Sequence, residues 1–392
     1  MHNARIIAVL ALTATTTPLL AGPITPPAGA VTSTGKTTDQ IEPRAIINAQ
    51  NTPGDANNTF IISQPGSYYL TGDITGESGK NGIRITANDV TIDLNGFTVR
   101  GMPAAGDGIV TASADGLNLK NGRITDWGGS GVFNNGKNCT YTDLIASNNT
   151  NFGLTAGDNS IITRCTTDSN LVGISPLNRS RVSNCVARDN TDGGIEAGRN
   201  SIISGCIAEG NATGFNVSFN SLIKSCSARG NTLDGFQLSS RSTIVDSSAT
   251  DNAGTGVFLF TDSLVQNCKI VGNDTAGIRV QSGCTIRDNH LTENRVDGAN
   301  STPAILLSSG DNLVEGNQLV FNNVGIRATG ASNTGNIIIG NAFRAHTNAF
   351  ELSSGSHVIG TTITPPLTQG FTGNSTANSG FGTIDPWGNI IF

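Results

Sequence analysis

Acidic side chains in the middle of the chain are the first candidates for chemistry. Residues 188–198 read RDNTDGGIEAG and carry Asp192 and Glu196 beside a Gly-Gly pair, and Asp168 and Glu209 flank this stretch. Two carboxyl groups held at the right separation can cleave a glycosidic bond, one as the acid and the other as base or nucleophile. Whether any of these groups meet depends on the elements that hold them.

Other reactive side chains are few. The chain has 4 His and 7 Cys, and neither type clusters with carboxylates at the spacing of metal ligands, so the sequence predicts no metal site and no cofactor. His290 stands beside charged neighbours and a long insertion at 295–303, and it is either an ordinary surface residue or a proton-transfer residue under that loop. A net charge of −6 without a Lys/Arg stripe argues against nucleic acid as a partner.

A repeat of about 21 residues organises the chain. Segments such as NCVARDNTDGGI, GCIAEGNATGF and SCSARGNTLDGF align on an anchor residue, and an Asn follows five residues later. The anchors are Gly96, Gly122, Leu144, Cys165, Cys185, Cys206, Cys226, Ser247, Cys268, Asn289, Asn317 and Asn341. The Asn positions are Asn149, Asn170, Asn190, Asn211, Asn231, Asn252, Asn273, Asn294 and Asn322. One such unit cannot bury its own apolar residues, whereas stacked units share a core.

Each unit holds three short alternating segments separated by Asn, Gly and Ser turns, and they are too brief for helices. The sequence therefore predicts an all-β fold: a single right-handed parallel β-helix of about twelve coils. The anchor and the residue two positions later should point inward, and the residues one and three positions later should point outward. Leucine-rich repeats have a similar length but need a Leu-rich helix in each unit, and no period of 3.6 is present.

The terminal segments complete the predicted organisation. Residues 1–21 have the positive start and short apolar run of a secretory signal peptide, with a buried strand or an interfacial segment as the alternative. A Pro/Thr/Gly-rich leader (22–38), an N-terminal cap (39–80), the β-helix (81–361) and a C-terminal cap or tail (362–392) follow. The expected location is outside the cell or at its surface, with no membrane span in the mature chain; the oligomeric state is left open.

The repeat explains the Asn-Thr-Asp triplet at 190–192. Asn190 belongs to the Asn series, and the equivalent units have no Asp at the offset of Asp192. Stacked inward Asn side chains can satisfy backbone groups at a bend, so the predicted role is structural, and Asn231→Ala should cost about 1–3 kcal/mol. Polygalacturonases use the same triplet in catalysis, but the Asp pair, Gly-His-Gly and Arg-Ile-Lys that accompany it there are absent here.

Five of the cysteines occupy the inward anchor. They are Cys165, Cys185, Cys206, Cys226 and Cys268. Neighbouring coils bring their Cα atoms within disulfide range, but side chains that point in parallel disfavour the torsion of a disulfide. Free buried thiols are the prediction, and disulfides are the alternative.

Two columns of outward residues are candidate surfaces. Three residues after successive anchors stand Asp168, Arg188, Glu209 and Arg229, whose alternating charges predict a salt-bridge ladder. The alternative, a hydrolytic pair formed by Asp168 and Glu209, conflicts with Arg188 between them, because that cation lowers the pKa of both. The second column follows the Gly–apolar step, and the predicted substrate-binding residues are Glu196, Asn216, Gln237, Phe258 and Arg279. An ordinary outer sheet face is the alternative there.

The segments PGSYYLTG and VTIDLNGF within 41–101, followed by Asn/Gly-punctuated coils, resemble secreted right-handed β-helix repeat proteins of planctomycete-type bacteria. More broadly the chain is similar to the pectate-lyase-like superfamily. The resemblance implies binding or processing of extracellular polysaccharide, by a lyase, hydrolase or epimerase if the protein is an enzyme. No lyase Arg/Lys set or epimerase Asp-Pro-His-Asp is present, so the alternative is a non-catalytic structural or adhesive surface rod.

Overall fold

The computed structural model describes most of the chain from residue 43 to residue 391. The positions left out within that span are 112, 295–301, 331–332, 345, 353–356, 361 and 364–387. The predicted signal peptide (1–21) and leader (22–38), and most of the predicted C-terminal segment (362–392), lie outside the described residues.

Short β-strands, paired in parallel from one coil to the next, form the regular structure of the described residues. A coil contains one strand on each of three faces. Face 1 is a 14-stranded sheet, and faces 2 and 3 together form a 28-stranded sheet.

The strands of face 1 are Asn58–Ile62, Asn81–Ile85, Ile109–Thr111, Val132–Asn134, Phe152–Ala156, Val172–Pro176, Gly193–Ala197, Thr213–Val217, Phe236–Leu238, Thr255–Leu259, Ala276–Val280, Pro303–Leu307, Val324–Ala328 and Asn348–Leu352. The strands of face 2 are Ala45–Ile46, Gly66–Tyr69, Val90–Asp93, Asn118–Thr125, Thr140–Ser147, Ile161–Thr163, Arg181–Ser183, Ile202–Ser204, Leu222–Lys224, Thr243–Val245, Leu264–Gln266, Thr285–Arg287, Leu313–Glu315, Ile337–Ile339 and Val358–Ile359. Two of these, Asn118–Thr125 and Thr140–Ser147, continue onto face 3. The other strands of face 3 are Ile74–Thr75, Thr98–Arg100, Thr166–Asp168, Val186–Arg188, Ile207–Glu209, Ser227–Arg229, Ser248–Thr250, Lys269–Val271, His290–Thr292, Gln318–Val320, Ala342–Arg344, Thr362–Ile363 and Asn389–Ile391.

The parallel β-helix predicted from the repeat is confirmed, but the number of coils is about 14 rather than about twelve. The additional coils lie at the two ends, where the sequence loses its period. The first contains Asn58–Ile62 and Gly66–Tyr69, which precede the Asn series. The last contains Asn348–Leu352, and its corner Asn comes from a distant segment, because Asn389–Ile391 pairs with both Ala342–Arg344 and Thr362–Ile363.

Each corner of a coil is a single left-handed residue followed by an inward side chain. Between faces 2 and 3, Arg164 (φ 52°) and Asn184 (φ 53°) precede the anchors Cys165 and Cys185. Asp189 (φ 51°) does the same ahead of the Asn series. Asn and Asp tolerate this conformation better than most residues, and Gly occupies it at other coils, which explains why these residue types punctuate the repeat.

The interior is filled by the positions that the repeat predicts to be inward. In one representative coil, Cys185, Ala187 and Asn190 are buried, whereas Arg188 is exposed and Glu196 is half-buried at the surface. Gly194 stands at the close approach to the Asn series, since a Cβ there would lie 2.8 Å from the Asn211 Nδ2 atom and 2.6 Å from the Gly214 carbonyl oxygen. Because equivalent strands of successive coils pair in parallel and in register, the outward side chains lie in straight columns.

Candidate functional site

Asn190 has a structural role and is one rung of a continuous ladder. Its backbone N–H and its Nδ2 atom both donate to Oδ1 of Asn211, at 3.0 and 2.8 Å. Asn170 donates to Asn190 Oδ1 in the same way. All nine Asn residues of the series are buried, as predicted. The Asn190 amide of the Asn-Thr-Asp triplet is therefore buried in the ladder and does not face a solvent-exposed site.

The cysteine column forms a second internal ladder. All seven cysteines are buried free thiols, as predicted for the five at the anchor. The N–H of Cys165 points at the sulfur of Cys185, at 3.4 Å, and further along the column the N–H of Cys268 donates to Oδ1 of Asn289, at 2.9 Å. Burial raises the pKa of Cys268 to about 12 and that of Cys284 to about 11, so these thiols remain protonated at neutral pH.

The outward column on face 3 is a ladder of ion pairs, as predicted. The Nε atom of Arg188 lies 2.7 Å from Oδ2 of Asp168, and Arg229 pairs with Glu209 on the next two coils. Burial raises the pKa of Asp168, but hydrogen bonds from Ser169 and Arg188 outweigh that effect and hold the pKa below its usual range. A carboxylate held in its ionised form is a poor general acid, so Asp168 is unsuited to that role, and the ion pairs favour the predicted salt-bridge ladder over a hydrolytic pair.

His290 lies on the outside of face 3 and is exposed. Its Nδ1 atom is 3.3 Å from Oε1 of Gln318, which occupies the same column on the next coil. This position favours the ordinary surface role. Most of the 295–303 insertion, on which the proton-transfer alternative depended, is outside the described residues.

The predicted substrate-binding residues are brought together on face 1. Glu196 pairs in register with Asn216, Asn216 with Gln237, Gln237 with Phe258, and Phe258 with Arg279. They therefore project from five consecutive coils in one outward column, here called the face 1 column. Parallel strands are about 4.8 Å apart, so the column is about 19 Å long.

Glu196 stands at one end of the face 1 column in a shallow groove. The groove has a volume of about 300 Å³, and Ser175, Asn216, Ser218 and Ser239 are among the residues that line it. Burial, with a smaller contribution from the charge of Asp192, raises the pKa of Glu196. Among the described residues no cation forms a salt bridge with this carboxylate, so its charge is available to a ligand.

Arg279 stands at the other end of the face 1 column. Its guanidinium carbon lies 5.0 Å from the centre of the Phe258 ring, within the range of a cation–π contact, and its Nε atom is 3.2 Å from the Ser308 hydroxyl. Phe258 also contacts Phe260, with ring centres 5.0 Å apart. These contacts hold the guanidinium and the ring in place while leaving the outer nitrogens of Arg279 for other partners.

Sequence reasoning missed two features of this surface. Ser218 and Ser239 line the groove beside Glu196, and their spacing of 21 residues is a signal that could have found them. Two coils beyond the face 1 column, in the same register, the Nε atom of Arg327 lies 2.7 Å from Oε2 of Glu351 on the next coil. The charges of this pair are matched, and the pairing is visible only once Glu351 is known to occupy the next coil.

A family comparison agrees with this architecture. The sequence profile described as the right-handed β-helix region matches residues 81–222 and 218–343, which is more than half of the chain. The chain belongs to the right-handed β-helix family. The narrower resemblance to secreted planctomycete-type members stays a prediction. No characterised protein matches this β-helix significantly by sequence.

Solved structures show the same fold at low identity. The A-module of mannuronan C-5 epimerase AlgE4 from Azotobacter vinelandii is 18% identical, with a TM-score of 0.51, and the match covers 76% of this β-helix protein and 91% of that chain. The Dettilon tailspike protein is 13% identical, with a TM-score of 0.50, and the match covers 64% of this chain and 60% of that one. At such identities the likeness concerns the fold alone.

The chemistry open to this β-helix follows from its side chains. No group of three or more His, Cys, Asp or Glu within the described part of the chain is arranged to hold a metal ion. The same described residues form no helix that is long and apolar enough to cross a membrane. The face 1 column offers one carboxylate, two amides, one aromatic ring and one guanidinium, a set suited to binding a polar, extended ligand rather than to two-carboxylate hydrolysis.

Proposed function

We propose that this β-helix binds an extended polysaccharide along the face 1 column. The observation that carries the proposal is the register of Glu196, Asn216, Gln237, Phe258 and Arg279 on consecutive coils. A coil spacing of about 4.8 Å is close to the length of one pyranose unit in an extended glycan, so successive sugars meet successive side chains.

Each side chain has a distinct role in this binding. Phe258 offers an apolar ring to the flat face of a sugar, and the contact of Arg279 with that ring keeps it from turning away. The amides of Asn216 and Gln237 supply donors and acceptors to hydroxyl groups. Arg279 pairs with an anionic substituent, and Glu196 accepts hydrogen bonds from hydroxyls in the groove.

Fold relatives make a polysaccharide the natural first class of ligand to test. The epimerase whose A-module shares the fold is named for mannuronan, a polysaccharide. For this chain the proposal rests on the face 1 column, and the relative only supports it. Export through residues 1–21 belongs to the same proposal, because an extracellular glycan must be reached outside the cell; fractionation of cells that express the full chain tests it.

A panel of neutral and acidic polysaccharides tests the proposed function. Binding is scored by affinity electrophoresis, and cleavage is scored by new reducing ends or unsaturated uronates. Phe258→Ala and Arg279→Ala should each weaken binding at least about tenfold without unfolding the protein, since they remove the ring and the cation. Arg188→Ala, on face 3, is the control and should leave binding unchanged.

The outcomes of the panel separate the alternatives. Binding without cleavage products supports a binding protein or an epimerase, because epimerisation breaks no glycosidic bond, whereas cleavage products indicate a lyase or a hydrolase. An absence of both favours the structural or adhesive rod. A loss of binding in Arg188→Ala with none in Phe258→Ala would place the site on face 3 instead.

A further inference from the structure

Ion pairs join neighbouring coils at several places on the outer surface of the β-helix, but none is found among the described residues of the face 1 column. Arg188 pairs with Asp168 on face 3, and Arg327 pairs with Glu351 just beyond the column. Among the described residues, neither Glu196 nor Arg279 forms a salt bridge. The two ends of the column therefore carry opposite, unmatched charges.

Glu196 makes its end of the column unfavourable for an anion. The nearby charge of Asp192 adds to that of Glu196, and Ser175, Ser218 and Ser239, which line the groove, are neutral. An anionic substituent placed in the groove would meet like charge, and none of the residues that line the groove is a cation. A sugar that presents only hydroxyl groups suits the groove, because hydroxyls donate hydrogen bonds to a carboxylate.

Arg279 makes the opposite end favourable for an anion. Its guanidinium is held by the Phe258 ring and by Ser308 rather than by a carboxylate, so its contacts position the cation without neutralising it. A planar guanidinium can bind a carboxylate or sulfate through two parallel hydrogen bonds. The three coils between the ends present the neutral residues Asn216, Gln237 and Phe258.

We infer, on the basis of the proposed function, that the ligand is a sparsely charged glycan that places an uncharged sugar at Glu196 and a single acidic sugar at Arg279, about four units away. A homopolymer with a carboxylate on every unit is disfavoured, because it brings an anion to Glu196 whichever unit lies at Arg279. The opposite charges also give the bound chain one direction, since reversal would bring the acidic sugar to Glu196.

Three pentasaccharides with one backbone test this inference on the full-length protein. The probes are β-1,4-linked mannopentaose, the same pentamer with a uronate at one end only, and the pentamer with a uronate at every position. Isothermal titration calorimetry at neutral pH should rank the singly acidic probe first, the neutral probe second and the fully acidic probe last, with about tenfold or more between the first and the last.

Variants test whether the charges of Glu196 and Arg279 cause the affinity ranking of the three probes. Glu196→Gln should reduce the ratio of the binding affinities for the neutral and the fully acidic probe. It removes the repulsion between Glu196 and the uronate while keeping the size of the side chain. Arg279→Ala should erase the advantage of the singly acidic probe over the neutral one. Glu315→Gln, on face 2, makes the same change in charge away from the column and should leave the ranking intact.

Two results would overturn the inference in different ways. If the fully acidic probe binds as well as or better than the others, or if Glu196→Gln leaves the ratio unchanged, the sparse-charge inference is wrong and the proposed function stands. If none of the probes binds and the polysaccharide panel is also negative, the proposed function fails and this inference fails with it.

Discussion

Removal of one rung of the Asn ladder is the sharpest test of the fold. The side chain of Asn231 accepts two hydrogen bonds from Asn211, through the backbone N–H at 3.0 Å and Nδ2 at 3.2 Å. It donates to the Ala208 carbonyl oxygen at 3.3 Å and to Asn252 Oδ1 at 2.8 Å. Asn231 is 1% exposed, so these partners are shielded from bulk solvent when Asn231→Ala removes the amide.

The cost of Asn231→Ala can be worked from these contacts. The backbone N–H of Asn211 is left buried without an acceptor, and such a group costs about 1–3 kcal/mol. The Ala208 carbonyl and Asn252 Oδ1 each lose one donor, at about 1 kcal/mol net for each bond. We therefore expect a loss of about 3–5 kcal/mol, at or above the upper end of the range expected from the sequence.

Hydrogen–deuterium exchange localises this loss, because coils of a solenoid contact only their neighbours. Peptides that cover the coils of Asn211 and Asn231 should exchange about two orders of magnitude faster in Asn231→Ala, and peptides at the two ends of the β-helix should be unaffected. Thr250→Ala, an outward residue on face 3, is the control. A change in Asn231→Ala no larger than in this control would refute the structural role of the ladder.

Three further predictions follow from the same structure. The thiols of Cys268 and Cys284 should resist labelling by Ellman's reagent at pH 8 until denaturant is added, since they are buried and their pKa values are raised; rapid labelling of the native protein would contradict this. Because burial raises the pKa of Glu196, its ionised form destabilises the native state above the pKa of the unfolded chain, so Glu196→Gln should raise the melting temperature at pH 7. This gain should shrink as the pH falls through the raised pKa of Glu196 and should vanish below about 4, where the carboxyl is protonated in the native and the unfolded chain alike; a gain that is independent of pH would count against the explanation. Arg188→Ala removes an exposed ion pair with Asp168 and should cost no more than about 1 kcal/mol in urea denaturation, whereas a larger loss would mean that the pair is not a simple surface contact.

The architecture was readable from the sequence because each coil obeys the same local constraints. An inward residue must be small or apolar, or must be an amide that can stack, and the residue before it must tolerate a positive φ. Cys185 with Asn184, and Asn190 with Asp189, satisfy both demands within one coil. With coils of nearly constant length, counting residues was also enough to place Glu196 and Arg279 in one outward column.

The repeat period is lost at the ends of the β-helix, and there long-range contacts determine which residues form the coils. The last coil receives its corner residue from Asn389, which is 48 positions from Asn341 in the sequence and whose Oδ1 accepts a hydrogen bond from the Asn341 N–H at 3.1 Å. No local pattern announces such a long-range insertion. For the same reason the sequence underestimated the number of coils.

The sequence alone determined the fold, the buried ladders and the membership of the face 1 column. All three follow from the repeat of about 21 residues, which can be recognised from local residue types. Only the tertiary structure decided which of the outward charges on face 1 are matched. Arg279 rests on the Phe258 ring, whereas Arg327 is neutralised by Glu351. Both are outward arginines that follow a Gly–apolar step, and the difference between them arises from the side chain that the adjacent coil brings within reach.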